Sequence, residues 1–188
     1  MEINHSHLVL DACCILNFCA SGHFIEILKS IPIEVVVTEV IREKELITLQ
    51  RLKDKENTGA IQFEQAILQG LILVVDFESE LEEEAFVNYA FELGDDGESA
   101  TFAIAINRGW AVATDDKKAI SFFQREAPNL EILSTLEIVK NWSEEANLTP
   151  TELRTALKNI RTIGKYLPPR NHPLLVWWEE FNIGYENA

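Results

Sequence analysis

Five short apolar runs, each followed by a helical pattern, constrain the fold of this chain more than any other feature of its sequence. They lie at residues 7–10, 33–37, 71–77, 110–114 and 130–135. Runs rich in Val, Ile and Leu are typical of buried strands, and the run at 71–77 is apolar enough to predict a strand buried on both faces. Strands that alternate with helices form a parallel sheet with helices on both sides. The sequence therefore predicts an α/β protein, a three-layer α/β/α sandwich with a central parallel sheet of about five strands.

Glutamates crowd into one stretch in the middle of the chain, residues 77–86. Ser79 and Glu82 have the spacing of a capping box, which predicts a helix that starts after Ser79 and ends at Gly94. Carboxylates in the first turn of a helix complement its dipole, and the remaining ones fit a solvated face. This acidic stretch is therefore explained without a functional site.

The chain carries a formal net charge of −15 at pH 7. A surface this acidic repels phosphate at long range, which argues against a protein held to nucleic acid by bulk electrostatics. We therefore expect any nucleic-acid role to be confined to a local site. No run reaches the roughly 18 uninterrupted apolar residues of a membrane span, so we expect no membrane partner.

Three cysteines, Cys13, Cys14 and Cys19, lie in one apolar segment. Adjacent cysteines are poorly placed to pair with each other, so the pattern does not indicate a disulfide scaffold. The spacing of these cysteines and the nearby histidines matches no zinc finger or ribbon, which favours packed thiols over a zinc site. Unpaired thiols fit a reducing compartment, and we expect a cytoplasmic location.

Carboxylates follow three of the predicted strands. Asp11 ends the first strand, Glu39 lies just past the second, and Asp115 and Asp116 end the fourth; Glu98 joins them from the first turn of a helix. Ligands bind at the carboxyl ends of strands in an open parallel sheet, so we expect these side chains to converge there. Converging carboxylates repel one another unless a cation neutralises them, and hard oxygen ligands suit Mg²⁺ or Mn²⁺.

Each of these acids also has a structural explanation. Asp11 has the position of a helix cap, Glu39 and Glu98 those of first-turn dipole residues, and Asp115 with Asp116 that of a strand-to-helix cap. Capping alone does not predict that all of them lie at one sheet edge, which favours the metal site. A magnesium ion held by a few carboxylates keeps several waters, activates one of them and neutralises charge on a phosphate, which is the chemistry of phosphodiester hydrolysis.

Five motifs follow one another between residues 7 and 140. They are "VLDACCILNF", "VVVTEV", "GDDGESATFAIAINRG", "ATDDKKA" and "ILSTLEIVK". In this order they resemble the opening Asp element, the second element with its Glu, the Gly-Glu-Ala helix, the fourth acidic element and the closing Gly-Thr-Leu segment of one subgroup of the PIN-domain family. This family is a nuclease fold that includes the VapC-type toxins of toxin–antitoxin pairs.

The resemblance implies a PIN-like sandwich and a metal-dependent endoribonuclease that hydrolyses RNA phosphodiesters. Its catalytic residues would be Asp11, Glu39, Glu98 and Asp116 around one or two Mg²⁺ or Mn²⁺ ions. Asp116 is preferred over Asp115 because the family's usual pattern is Thr-x-Asp, but Asp115 is also a candidate metal ligand. As partners the resemblance implies RNA, an antitoxin protein and a second copy of the chain in a homodimer.

Two departures from the family pattern favour an alternative function. Cys13 stands where Ser, Thr or Asn is usual, so a hydroxyl or amide contact is expected to be missing, and Ile120 stands where an arginine often follows the acidic pair. The alternative is a catalytically decayed PIN-like module that binds protein. A receiver-like phosphate-handling domain is disfavoured, because its acidic pair would follow the first strand rather than the fourth.

We place a PIN-like nuclease domain at residues 1–142 and a C-terminal helical extension at 143–188. The first helix of the extension starts with a capping box at Thr149 and Glu152. Its basic residues recur at helical spacing opposite an apolar stripe: Arg154, Lys158, Arg161 and Lys165. Pairing of this basic face with the acidic body is favoured over an RNA-guiding surface.

Overall fold

The structure is a computed structural model that describes residues 1–44 and 58–182. Its centre is a five-stranded sheet in which all neighbouring strands are parallel, with the order β3-β2-β1-β4-β5. The strands are β1 (His7–Leu10), β2 (Glu34–Thr38), β3 (Leu73–Val75), β4 (Ala111–Ala113) and β5 (Ile132–Leu133). Helices pack on both faces of the sheet, which confirms the predicted three-layer α/β/α sandwich.

The helices connect these strands and continue beyond the last of them. They are α1 (Ala12–Ser21), α2 (Phe24–Lys29), α3 (residues 39–44), α4 (Thr58–Leu68), α5 (Glu80–Leu93), α6 (Asp96–Arg108), α7 (Lys117–Glu126), α8 (Thr135–Glu145), α9 (Pro150–Thr162) and α10 (Leu175–Asn182). The helical pattern that follows the second apolar run spans residues 39–54; it forms a helix as far as residue 44, and its remainder lies outside the described residues. Within the described ranges, no helix has the length and apolar character needed to cross a membrane.

The alternation of side chains along β1 produces a hydrophobic core on each face of the sheet. Leu8 and Leu10 point to one face, where they join a large cluster with α1, α2, α4, α8 and α9. Val9 points to the other face and packs with α6 and α7. There the rings of Phe102 and Phe123 stack with centroids 3.6 Å apart. Successive side chains of a strand alternate between faces, so a central strand with apolar residues throughout is buried on both.

The register of β1 against β4 brings the ends of the two strands together. Leu10 lies opposite Ala113, and the backbone N–H of Asp11 donates to the carbonyl oxygen of Ala113 at 3.0 Å. Because the strands are parallel, Asp11 and the residues after Ala113 leave the sheet at the same edge. This edge is where the predicted carboxylates were expected to meet.

The expectation that the third strand is buried on both faces is wrong. β3 is an edge strand with β2 as its single neighbour in the described sheet, and Leu73 is 41% exposed. Leu71 and Val74 pack only partly against the core. The apolar character of residues 71–77 therefore does not report burial on both faces, because strand order depends on the whole topology and not on one run of residues.

Glu82 lies in the first turn of α5, as predicted, but it also forms a buried ion pair that was not predicted. Ser79 caps α5 by accepting the N–H of Glu82, as predicted, but the Glu82 side chain is buried. Its carboxylate accepts two bonds from Arg108, from Nε at 2.7 Å and from Nη2 at 3.0 Å. It also accepts the N–H of Glu78. The partner comes from the end of α6, so the helical pattern of α5 alone could not reveal the pair.

The two C-terminal helices belong to the same hydrophobic core as the sheet. The capping box at Thr149 and Glu152 is confirmed, with both of its hydrogen bonds formed. α9 packs on α1 through a buried stripe that includes Leu157, and α10 packs on α9. Tyr166 and Trp178 meet edge to face at 5.7 Å between ring centroids. The division of the chain after residue 142 stays a prediction.

We predict that Glu82→Gln lowers the free energy of unfolding by about 1–3 kcal/mol at neutral pH, because it removes the buried carboxylate that pairs with the largely buried Arg108 and leaves the exposed Glu78 as its charged acceptor. Arg108 holds the pKa of Glu82 below its usual value. A depressed pKa stabilises the fold above the unfolded value, about 4.3, and this stabilisation is lost as the pH falls through the folded value. The difference between the two proteins should therefore shrink in acid, as measured by urea unfolding.

The matched control for this prediction is Glu83→Gln, which makes the same change at an exposed position of the same helix turn. It should leave the free energy of unfolding nearly unchanged. An equal loss of stability in both variants would contradict the role given to the Glu82–Arg108 pair.

Candidate functional site

A pocket of about 390 Å³ lies where β1 and β4 end, and it is lined by carboxylates. The acids in its lining are Asp11, Asp95, Glu98, Asp115 and Asp116. The structure thus brings together four of the five predicted site residues, and it adds Asp95, the residue that caps α6. The rest of the lining comes from the start of α1 and from residues 164–166, which follow α9.

Asp11 is a buried carboxylate held in place from both strands. It is 3% exposed, and its Oδ2 accepts hydrogen bonds from Thr114 Oγ1 at 2.7 Å and from Cys13 Sγ at 3.1 Å. Its Oδ1 accepts the N–H of Ala12 at 2.8 Å, so Asp11 also caps α1. Burial raises the pKa of Asp11, although these hydrogen bonds oppose the shift. The capping explanation is thus correct, and it leaves the same carboxylate facing the pocket.

The contact expected to be missing at Cys13 is present. The thiol donates to Asp11, as a serine hydroxyl would, and its sulfur accepts the N–H of Asp115 at 3.2 Å. A hydrogen bond with Cys14 lowers the pKa of Cys13, but burial and the charges of Asp11 and Asp115 outweigh it, and the net shift is upward. Cys13 therefore acts as a protonated, weak donor in the place of a hydroxyl.

Asp115 and Asp116 are adjacent in sequence but differ in their surroundings. Asp115 is saturated by hydrogen bonds from Thr135 N at 3.1 Å, Thr135 Oγ1 at 2.5 Å and Asn17 Nδ2 at 3.2 Å. Asp116 caps α7 through Oδ1, which accepts the N–H of Lys118 at 2.7 Å and that of Ala119 at 2.9 Å. Within the described residues, nothing donates to Asp116 Oδ2. Oδ2 of Asp116 is therefore available to bind a ligand. Asp115, in contrast, links the end of β4 to α1 and α8 by hydrogen bonds.

Glu98 is an acid of the pocket with a strongly raised pKa. It lies in the first turn of α6, half-buried, and no donor in the described part of the chain binds its carboxylate. Burial, followed by the charges of Asp116 and Asp11, raises its pKa to about 7, against the opposing charge of Lys118. The negative charges that act on Glu98 outnumber the one opposing cation, Lys118, and such an excess favours the binding of a cation.

Glu39 does not line the pocket. Its carboxylate pairs with Arg42, whose Nη1 lies 3.1 Å from Oε1, and Arg42 also approaches Glu64 with 3.6 Å between Nε and Oε1. The spacing of Glu39 and Arg42, three residues apart on a helix, is the sequence signal for this pairing. The role of Glu39 as a metal ligand stays a prediction, and it would require the carboxylate to leave Arg42.

The described residues also contain a compact group of side chains of types that can bind metal, and it differs from the carboxylates predicted as ligands. The two thiols of Cys13 and Cys14 and the carboxylate of Asp115 lie within 4.8 Å of one another. Burial raises the pKa of Cys14 well above its usual value, and a thiol must lose its proton to bind metal. We therefore interpret this group as a hydrogen-bonded cluster. A hard cation that keeps several waters suits the more widely spaced oxygens of Asp11, Glu98 and Asp116.

The residues after α9 were not predicted to reach the pocket. The prediction that Lys165 lies on the basic face of the helix is wrong, because α9 ends at Thr162 and Lys165 has a φ of 56°. Gly164, a residue type that often ends helices, was the signal for this change of direction. The expected ion pairs with the acidic body are not formed by Arg154 or Arg161 with any described residue.

Neither a scan against protein-family models nor a search of curated proteins gives a match for this chain. The resemblance to the PIN-domain family therefore rests on the motifs of the sequence. What the pocket does must be inferred from its own chemistry.

We predict that Glu98→Gln makes the metal-free protein more stable than the wild type at about pH 8 and leaves it nearly unchanged at about pH 4. The pKa of Glu98 in the folded protein, about 7, exceeds the unfolded value of about 4.3, so the fold binds the extra proton between these values. The free energy of unfolding therefore falls as the pH rises through this window. Glutamine does not ionise, so Glu98→Gln removes the contribution of this residue to the pH dependence of the free energy of unfolding.

Urea unfolding in a chelating buffer across this pH range measures the effect. Glu92→Gln, the same change at an exposed position of α5, is the control and should follow the wild type throughout. A stability difference between Glu98→Gln and the wild type that does not vary with pH would contradict the raised pKa.

Proposed function

We propose that this chain is a metal-dependent endoribonuclease that uses Mg²⁺ or Mn²⁺ in the acidic pocket to hydrolyse RNA phosphodiesters. The observation that carries the proposal is Glu98, a half-buried carboxylate without a hydrogen-bond donor among the described residues, whose pKa is raised to about 7 beside Asp11 and Asp116. Gathering these carboxylates costs free energy that a bound cation would offset. The same perturbation marks many functional sites.

The residues have distinct roles in this proposal. Asp11, Glu98 and the free oxygen of Asp116 would hold the cation, which when bound activates a water and neutralises charge on the phosphate. Thr114 and Cys13 orient Asp11 from β4 and α1. Asp115 is the structural member, because its oxygens are already occupied by α1 and α8.

The choice of RNA as substrate is supported by the order of the five motifs between residues 7 and 140. Those motifs also support, as a further part of the proposal, the role of a cytoplasmic toxin with an antitoxin protein as its partner and a homodimer as its assembly. The pocket chemistry supports hydrolysis of phosphodiesters, and the motifs supply the class of nucleic acid.

A protein-interaction module is the second candidate function, and one feature of α5 favours it. Val87 and Phe91, one helical turn apart, are 63% and 88% exposed. Neighbouring apolar side chains exposed to this extent mark a surface that another protein could cover. Metal binding distinguishes the two functions, because the nuclease requires a metal ion in the pocket and the protein-interaction module does not.

The test of the proposed function is RNA cleavage by the wild type and by Asp11→Asn, with Mg²⁺ or Mn²⁺ and with a chelator. Asparagine caps helices about as well as aspartate, so the substitution should keep the fold and remove the charge. We expect cleavage to fall by at least about 100-fold in the variant and to stop in the chelator.

Asp96→Asn is the matched control, because it removes the same charge from an exposed residue of α6 next to the pocket. It should cleave RNA like the wild type. Unchanged cleavage by folded Asp11→Asn would contradict the assignment of the site. A wild type that cleaves no RNA with either metal would contradict the nuclease and leave the interaction module.

A further inference from the structure

We propose that Gly164, Lys165 and Tyr166, here called the post-α9 segment, form the substrate-binding element of the acidic pocket, with the Lys165 ammonium group binding a backbone phosphate of the RNA. The inference rests on the proposed function of the pocket and assigns to the C-terminal part of the chain a direct role in it. All three residues line the pocket.

Gly164 holds the segment close to α1. A Cβ atom at this position would lie 2.7 Å from Asn17 Oδ1 and 2.7 Å from the backbone oxygen of Ile160, distances that real Cβ atoms do not tolerate. Asn17 in turn donates to Asp115 at the pocket wall. The segment is thus fixed against the same side chains that shape the pocket, and the close approach requires a glycine.

Tyr166 places a buried donor without a partner at this wall. The side chain is 7% exposed, and its hydroxyl makes no hydrogen bond within the described structure. Burial, followed by the charge of Asp115, raises the pKa of Tyr166, so the hydroxyl keeps its proton. The Asp115 carboxylate lies near this hydroxyl, and its oxygens already accept hydrogen bonds from Thr135 and Asn17. A buried hydroxyl left unpaired costs free energy, which an oxygen of a ligand would recover.

Lys165 places a positive charge in the lining of the pocket. It is exposed, it is the one basic residue in the described pocket lining, and it forms no ion pair with a described carboxylate. Its φ of 56° is uncommon for a residue with a side chain and is imposed by the turn that follows α9. The chain has a net charge of −15 and repels phosphate at long range. A lysine in the pocket lining attracts phosphate locally and so offsets this repulsion at the site.

The experiment compares Lys165→Met, which keeps the aliphatic stem, with Lys165→Arg, which keeps the charge. Lys29→Met is the control, because Lys29 is exposed at the opposite edge of the sheet. Binding of a short fluorescent single-stranded RNA of mixed sequence is measured in Ca²⁺ over a series of salt concentrations. Mn²⁺ binding to each protein is measured separately by calorimetry.

We expect Lys165→Met to bind the RNA about tenfold more weakly than the wild type. The slope of log affinity against log salt should fall by about 0.7, the value for one lost phosphate contact on a single strand. Lys165→Arg and Lys29→Met should both bind like the wild type. Mn²⁺ affinity should be the same in all four proteins, which distinguishes a phosphate ligand from a lysine that only balances the pocket's charge.

Several results would overturn the inference. An RNA affinity and a salt slope of Lys165→Met equal to those of the wild type would exclude phosphate binding by Lys165. An equally small loss of RNA affinity in Lys165→Met and Lys29→Met would exclude it too. So would a changed Mn²⁺ affinity of Lys165→Met with unchanged RNA binding. Cleavage by the wild type with unchanged kinetics in Lys165→Met would overturn this inference alone. Lys165-dependent RNA binding by a wild type that cleaves no RNA would support the inference and contradict the nuclease.

Discussion

The hydrogen bond from Thr114 Oγ1 to Asp11 Oδ2, 2.7 Å long, joins the ends of the two central strands, and the site depends on it. It forms because β1 and β4 run parallel in a register that sets Leu10 opposite Ala113. A slip of one residue would turn Asp11 away from the pocket and the core side chains of β1 away from their faces. The same apolar packing that fixes the register therefore also fixes the position of the acid.

Capping and ligand binding are compatible roles for the acids of this pocket. Asp11, Asp95 and Asp116 cap α1, α6 and α7, and Asp115 accepts the N–H of the first residue of α8. Four helix N-termini therefore point toward one carboxylate cluster, and their partial positive charge offsets some of its repulsion. Glu98 lacks such a donor among the described residues, so no hydrogen bond opposes the burial and the neighbouring charges that raise its pKa to about 7. The remaining imbalance is what a divalent cation would neutralise.

The features that could be predicted from sequence are those set by nearby residues. The cap at Ser79, the capping box at Thr149 and the convergence of Asp11 with Asp116 follow from local patterns and parallel topology. The features that were missed depend on residues far apart in the chain. Arg108 meets Glu82 across two helices, β3 lies at an edge, and residues 164–166 return to the pocket from the far end of the chain. No single-segment pattern contains these contacts, because tertiary packing creates them.

The most direct test of the account is a calorimetric titration of Mn²⁺ into the metal-free protein and into folded Asp11→Asn. The account predicts saturable binding to the wild type that is lost in Asp11→Asn and retained in Asp96→Asn, whose exposed carboxylate lies outside the pocket lining. No binding to the wild type, or equal binding to Asp11→Asn, would contradict it. The acids would then be helix caps and solvated charge, and the pocket would have no metal to hold.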